Sequence, residues 1–316
     1  MEKVIAVIVT YNRKNLLAEC IAALRKQTHR IDKILVINNG SMDNTREWLR
    51  EQPDIDFVTQ KNMGSAGGFY TGIKKAYKDE YTWIWLMDDD GYPKEDALEK
   101  LLDTDLEDLC LRTCAVINKE DKKSFVWKTK NLETLDEVKN KLLKNNVHPF
   151  NGTLLNRKIV ERVGFPDAGL FLWGDETEYY FRIIKKHAIP AFTILDSIHY
   201  HPGKSYSYKT DWEFSTAWKM YYYVRNRFYI MKTRYSICKP LAISMYIIFL
   251  LSYSASVVIF QKTNKMKKLE FILWPVKDAF TNNLSVTPSQ ILEKIGTKQS
   301  SFRFINNYIK RLKSMV

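Results

Sequence analysis

The sequence predicts an α/β fold, a mostly parallel sheet flanked by helices, followed by a helical region of different character. Three observations carry this. Short apolar runs alternate with helix-period stretches through the first half of the chain. Charge is divided unevenly: of 49 Lys/Arg and 36 Asp/Glu, residues 201–316 hold 19 basic and 5 acidic, which leaves the first two-thirds nearly neutral. A 22-residue stretch with no charge at all, residues 240–261, lies inside that basic third. The division is placed at residues 1–210 and 211–316.

In order, Val4–Thr10 is a β-branched, apolar run with no cleavage-site pattern after it, so it is expected as a buried strand rather than a secretion signal. Residues 14–26 carry Leu16, Leu17, Cys20, Ile21 and Leu24 at helical spacing. Lys33–Asn38 is the second strand, and a helix is expected to start at Ser41-Met42-Asp43. Residues 55–60 form a third strand before the glycine-rich Asn62-Met63-Gly64-Ser65-Ala66-Gly67-Gly68 and another helix. Residues 83–87 are wholly apolar, a central strand, and end abruptly in Asp88-Asp89-Asp90. Further on, residues 115–118 suggest a strand, 119–146 a polar loop and surface helix, 159–163 and 175–186 helices, and 191–198 a strand.

The C-terminal third mixes Trp218, Tyr221, Tyr222, Tyr223, Phe228 and Tyr229 with Lys219, Arg225, Arg227, Lys232 and Arg234. The uncharged run that follows is long enough to cross a bilayer, which takes about 20 apolar residues. Lys/Arg on both flanks argue for a helix or hairpin embedded from one side instead of a span. A buried core helix is the alternative. The apolar run within the basic tail favours an anionic membrane surface over nucleic acid as partner. Cys20, Cys110, Cys114 and Cys238 are too scattered for a disulfide framework. Reduced thiols place the expected site at the cytoplasmic face of the membrane.

Four groups of residues carry chemistry. Asp88, Asp89 and Asp90 close a buried strand, where open α/β sheets collect ligands. Their mutual repulsion calls for a hard cation such as Mg²⁺ or Mn²⁺ against a diphosphate. Alternation lets Asp88 and Asp90 face one site and Asp89 another. Thr10, Asn12, Asn39, Asn62 and Gly67 mark small polar strand ends that together make a nucleotide-sized ledge. The pattern is not G-x-G-x-x-G, and Gly203-Lys204-Ser205 lacks the upstream glycine of a P-loop, so dehydrogenase and ATPase readings are weak. In Trp173-Gly174-Asp175-Glu176-Thr177-Glu178, Asp175 and Glu178 have capping-box spacing. Glu176 would then be free to act as a general base, with Trp173 stacking on a sugar. Alternation also puts His199 and His201 on one side of a strand end, fit for metal or phosphate.

Together these residues resemble the family-2 inverting glycosyltransferases of the GT-A (Rossmann-like) fold, from Lys3 to about Ser205, with a weaker echo in Tyr222-Tyr223-Val224-Arg225-Asn226-Arg227. The set is most similar to bacterial galactofuranosyl- and rhamnosyltransferases, and Trp85-Leu86-Met87-Asp88-Asp89-Asp90 with Trp173-Gly174-Asp175-Glu176 leans to the galactofuranosyl side. The resemblance implies a nucleotide-sugar donor, UDP-galactofuranose or alternatively dTDP-rhamnose, and a saccharide acceptor, expected to be lipid-linked, in cell-surface polysaccharide synthesis. It implies that Asp88 and Asp90 bind ribose and metal-diphosphate, with Asp89 beside them and His201, or else His199, as a further metal ligand. Thr10, Asn12, Asn39 and Asn62 match nucleoside positions; Glu176, or else Asp175, matches the base. The family's base is usually Asp, and its second strand usually ends in Asp where this chain has Asn38-Asn39. A sugar-nucleotide pyrophosphorylase is the competing enzyme class, but no glycine-rich basic loop follows the first strand. A non-catalytic membrane- or nucleic-acid-binding protein is the competing non-enzyme.

Overall fold

The computed structural model describes residues 2–203 and 210–296, so Lys204 and Ser205 of the strand-end motif lie outside the described residues. The first part is a repeated strand–helix unit: β1 (Val4–Thr10), α1 (Lys14–Arg25), β2 (Lys33–Asn38), α2 (Thr45–Arg50), β3 (Ile55–Thr59), α3 (Gly64–Lys78) and β4 (Trp83–Asp88). Every residue of β1 is buried. Ile5, Val7 and Val9 enter the core under α3, while Val4, Ala6 and Ile8 enter the one under α1. A strand covered on both faces has no reason to alternate with polar residues, which is why β1 and β4 read as continuous apolar runs.

Beyond β4 come β5 (Tyr92–Pro93), α4 (Ala97–Leu102), β6 (Leu111–Asn118), β7 (Ser124–Thr129), β8 (Leu132–Thr134), β9 (Leu142–Lys144), β10 (Thr153–Asn156), α5 (Arg157–Val163), α6 (Asp175–Phe181) and β11 (Ala191–His201). The strand order is β3-β2-β1-β4-β10-β6-β11-β5. Strands β1 to β4 are parallel; β10 runs antiparallel to both β4 and β6, and β11 runs parallel to β6. Two reversals restore direction, so β11 ends at the same edge of the sheet as β4. That geometry delivers His201 to the aspartate triplet.

Residues 119–146, expected as a loop and surface helix, instead form β7, β8 and β9 around a short 3₁₀ turn. Asn118 and Asp121 side chains accept backbone N–H groups at Glu120, Lys123 and Ser124, which makes the turn. Phe125 then packs with Ile117 and Leu195. Strand β7 pairs with its neighbours β6 and β8 through only a few residues, and β9 pairs with the distant β11, so no extended local period marks them.

Helices α7 (Ala217–Arg234), α8 (Lys239–Phe260) and α9 (Lys265–Phe280) form the C-terminal region. Only 22% of the α8 apolar window is buried, which sets aside the core-helix alternative. Tyr246 and Tyr253 are buried and Phe249 packs with Tyr223 of α7, whereas Leu251 and Ile259 are each 66% exposed. All four cysteines are free, and Cys20, Cys110 and Cys114 are buried as small hydrophobes.

Gly72 sets the approach of α3 to the sheet, because a Cβ there would lie 2.3 Å from Val7 Cγ1. Gly72→Ala is expected to destabilise the fold by about 1–3 kcal/mol through overpacking, read as a lower denaturant midpoint at unchanged slope.

Candidate active site

Four strand ends and one helix start build the site. At the end of β4, Asp89 is buried, and its Oδ2 accepts the Thr10 hydroxyl from the end of β1 at 2.6 Å. Arg13 Nη1 lies between Asp89 Oδ1, at 3.1 Å, and Asp90 Oδ2, at 2.8 Å. Asp90 Oδ1 faces His201 Nε2 at 3.3 Å. The carboxylates therefore separate chemically. Burial, the neighbouring Asp90 and Asp89, and more distantly Glu176, push Asp88 well above the usual carboxylate range. Burial pushes Asp89 up to about 6 against the opposing Thr10 bond. Burial opposes ionisation of Asp90 too, but the His201 hydrogen bond and charge, with Arg13, bring it down to about 2.

The two histidines stand on successive inward rungs of β11. His199 is fully buried against Gly91 and Gly152, and desolvation brings it down to about 3, so it is neutral. His201, at the rim, is the one facing Asp90. Its Nδ1 lies 2.7 Å from Pro202 O, and Nε2 is the ring nitrogen turned to Asp90 Oδ1. At 3.3 Å, Nε2 and Asp90 Oδ1 are close enough to share a proton or a cation. An imidazole nitrogen and a carboxylate are a fitting donor pair for Mn²⁺, and a fitting start for Mg²⁺ with added oxygen ligands. Among the described residues no three His, Cys, Asp or Glu side chains form a ready-made cage, so further ligands would come from substrate or water.

The acid pair opens α6. Gly174, in the left-handed region at φ 115°, is the residue before the helix, so Asp175 is the first helical residue and does not cap. The expected Asp175/Glu178 capping pair is not formed; Glu178 instead binds Arg182 and Thr233. Asp175 is buried with neither oxygen hydrogen-bonded, and burial, with Glu176 next, holds it well above the usual range. Glu176 is half-buried; its Oε2 accepts Gly174 N–H at 3.1 Å and its Oε1 the Thr177 hydroxyl at 3.4 Å. Asp88 contributes to the shifts of both sites: Glu176 raises Asp88, and Asp88 raises Asp175. The triplet and the acid pair thus share one electrostatic field.

The ledge residues are together, with different jobs. Asn12, at φ 54°, accepts Met42 N–H through Oδ1 at 2.7 Å. Asn39 is 2% exposed and spans Gly64 O and Gln60 Nε2, so it braces the ledge from inside. Asn62 accepts Gly64 N–H at the start of α3. Gly67 has no room for a Cβ, which would meet Met63 at 2.3 Å. Trp173 packs edge-on to Tyr223 at 6.3 Å. Two participants escaped the sequence reading. Arg13 had only its position just after Thr10 to signal it. Trp127, which packs between His148 at 5.2 Å and His201 at 5.0 Å, sits in a Lys-rich stretch with no periodic pattern.

Arg13→Ala removes one cation from between Asp89 and Asp90. The expected outcome is a lower melting temperature in EDTA and a larger upward shift on adding Mn²⁺ than the wild type shows. Equal Mn²⁺ shifts in both proteins would count against this charge balance.

Comparison with known proteins agrees with this architecture. The model of the family described as glycosyl transferase family 2 matches residues 5–164. Galactofuranosyltransferase GlfT1 of Mycobacterium tuberculosis is 31% identical over 222 residues, 66% of this chain and 73% of that protein. The protein of the same name from Mycolicibacterium smegmatis is 33% identical over 216 residues, 64% of this chain and 71% of its own. Among solved structures, the Pyrobaculum calidifontis mannosyltransferase PcManGT, in complex with GDP-Man and Mn²⁺, has a TM-score of 0.51 at 15% identity, covering 97% of this chain and 82% of that one. GalNAc-T7, solved with UDP, GalNAc and Mn²⁺, has a TM-score of 0.51 at 14% identity over 72% of this chain, which spans 51% of that protein. At such identities the likeness speaks for the fold. The chain belongs to glycosyl transferase family 2 and is a glycosyltransferase of the GT-A fold.

Proposed function

We propose that this chain is a metal-dependent, inverting galactofuranosyltransferase that takes its sugar from UDP-galactofuranose and passes it to a lipid-linked saccharide in cell-surface polysaccharide synthesis. The observation that carries the reading is the edge where His201 Nε2 faces Asp90 Oδ1 at 3.3 Å, beside Asp88, with the Asp175–Glu176 pair opening α6. The name of the relatives at 31–33% identity supports the choice of sugar. A divalent cation held by Asp90 and His201, beside Asp88, would supply positive charge against the departing diphosphate. Thr10, Asn12, Asn62 and Gly67 line the nucleoside side, with Asn39 keeping that ledge in shape. Asp175 is buried, and burial, with Glu176 next to it, opposes its ionisation. Glu176 is the group that accepts the acceptor's hydroxyl proton as oxygen attacks the anomeric carbon from the face opposite the leaving group. Trp173 closes that side against water.

The C-terminal region fits an anionic membrane on its cytoplasmic face. Leu241, Ile247, Ile248, Leu251, Val258 and Ile259 of α8 are exposed, and Lys239, Lys262, Lys265 and Lys267 flank them. Each such side chain buried in lipid contributes about 1.5–3 kcal/mol, and each nearby Lys about 1 kcal/mol on anionic lipid.

The testing experiment is a screen of nucleotide sugars for Mn²⁺-dependent release of the nucleoside diphosphate. Turnover of UDP-galactofuranose is expected, and turnover of dTDP-rhamnose alone would redirect the donor. Glu176→Gln should abolish transfer while calorimetric donor affinity survives; joint loss would point to a folding role. The Leu251→Glu, Ile259→Glu double variant should stop flotation with anionic vesicles and leave soluble-acceptor turnover intact. Flotation equal to wild type would argue against α8 as the docking element.

A further inference from the structure

Residues 169–174, the turn that leads into the acid pair, have an unusual backbone. Phe171 and Trp173 have φ of 65° and 55°, and Gly174 follows at 115°. Left-handed residues in such close succession break any regular hydrogen-bond ladder, so the turn's carbonyl groups need partners from outside it. Five successive carbonyls find them. Arg225 Nη2 donates to Gly169 O at 2.9 Å and Leu170 O at 3.0 Å. Asn226 Nδ2 shares its two protons among Leu170 O, Leu172 O and Trp173 O, at 2.8, 2.9 and 3.0 Å. The remaining carbonyl, Phe171 O, accepts Ala66 N–H from the first turn of α3 at 3.2 Å.

The donors are themselves fixed. Arg225 Nε donates to Asn226 Oδ1 at 3.0 Å, which turns the amide nitrogen of Asn226 towards the carbonyls. Both side chains are completely buried. Arg225 lies over the rings of Tyr222, at 4.9 Å, and Tyr221, at 5.6 Å, and among the described residues no carboxylate pairs with it. Nη1 of Arg225 is buried without a hydrogen-bond partner among the described residues, so this costly buried cation depends on its Nε and Nη2 bonds and its π contacts. Helix α7 also presses on the last residue of the turn: a Cβ on Gly174 would meet Ile230 Cδ1 at 3.0 Å and Asn226 Cβ at 3.3 Å.

We propose that Arg225 and Asn226 are positioning residues, which hold the 169–174 turn in the conformation that presents Glu176 to the acceptor. The inference rests on the proposed role of Glu176 as base, and neither side chain touches substrate. Because the turn's other tie is to α3, whose first turn carries the nucleoside ledge, the clamp also sets the distance between donor and base.

The test uses the full-length chain and Asn226→Asp, which keeps the side-chain shape and removes both N–H donors. The expected result is a fall in transfer kcat of about 100-fold, the scale of a small misplacement of a reacting group, with donor KM at the wild-type value. Amide hydrogen exchange should accelerate in residues 168–178 while β1 and β4 keep their protection. Tyr246→Phe, which removes a bond to Val224 O on the other side of α7, should change neither. If Asn226→Asp does not fold, Arg225→Lys, which keeps the charge but not the forked donor, is read in the same way. Wild-type kcat in a folded variant overturns the proposal. So does exchange accelerated throughout the protein, or loss of folding in both variants, since either marks a general packing role. The exchange measurement needs no donor, so a wild-type chain that turns over no nucleotide sugar would remove the proposed function and still leave the clamp to be decided.

Discussion

Three carboxylates on consecutive residues at the end of a buried strand are the constraint around which the rest is arranged. Two carboxylates about 4 Å apart repel by about 4 kcal/mol at an effective dielectric near 20, so a chain that keeps such a triplet must bring compensation to it. It does so from two directions. Thr10 and Arg13 come from the end of β1, the neighbour of β4 in the parallel half of the sheet. His201 comes from β11 in the other half. The triplet is thus a tie between the two halves: it can be tolerated only when β1, β4 and β11 end at a common edge. The reversal through β10 is what makes those ends coincide.

Much of this was legible in the sequence, and the part that was not has physical reasons. Strands buried on both faces declare themselves through unbroken apolar runs, and β1, β2 and β4 lie where those runs do. Strands β5 and β9 are very short and pair with the distant β11, and β7 and β8 pair with sequence neighbours through only a few residues, so no period betrays them. The aspartates and the acid pair were visible because charge at an apolar strand end is conspicuous. Their internal division of labour was not. Asp175 and Glu178 have the spacing of a capping box, but Gly174 in the left-handed region starts the helix one residue earlier than that pattern needs, and Asp175 turns inward. Alternation placed His199 and His201 on one side of their strand without telling a buried rung from an exposed one. Asn39 looks like a nucleoside contact in sequence, yet the space under α3 leaves it facing Gly64 and Gln60.

The C-terminal region shows the limits of amphipathicity as a guide. In α8 the aromatic residues Tyr246, Phe249 and Tyr253 recur every three to four positions and pack on α7, while aliphatic residues occupy the outward positions. Both faces are apolar, so a search for a polar face finds none, and composition alone cannot separate such a helix from a core helix. What separates them is the neighbourhood: α7 covers one side and nothing among the described residues covers aliphatic side chains such as Leu251 and Ile259. The aromatic–basic composition of α7 has a related origin. Two of its arginines pack on rings, the buried Arg225 over Tyr221 and Tyr222 and the partly buried Arg227 over Tyr223 and Phe249. Part of what reads as a basic surface in sequence is therefore stacked within the helical layer, while Lys232 and Arg234 remain exposed.

The family match ends at residue 164, before the acid pair, before His201 and before α7. The matched segment covers the strands up to β10, the ledge and the aspartates, and leaves out β11. Further along the chain, the turn at 169–174 departs from regular structure, with positive φ at Phe171, Trp173 and Gly174. It takes its shape from α3 on one side and α7 on the other, and α7 is in turn packed on the exposed α8. An element that rests on a surface-seeking helix also sets the backbone before Glu176. In such an arrangement the Glu176 side of the site is built against the helical layer that carries the exposed α8, while the aspartate side is built into the sheet.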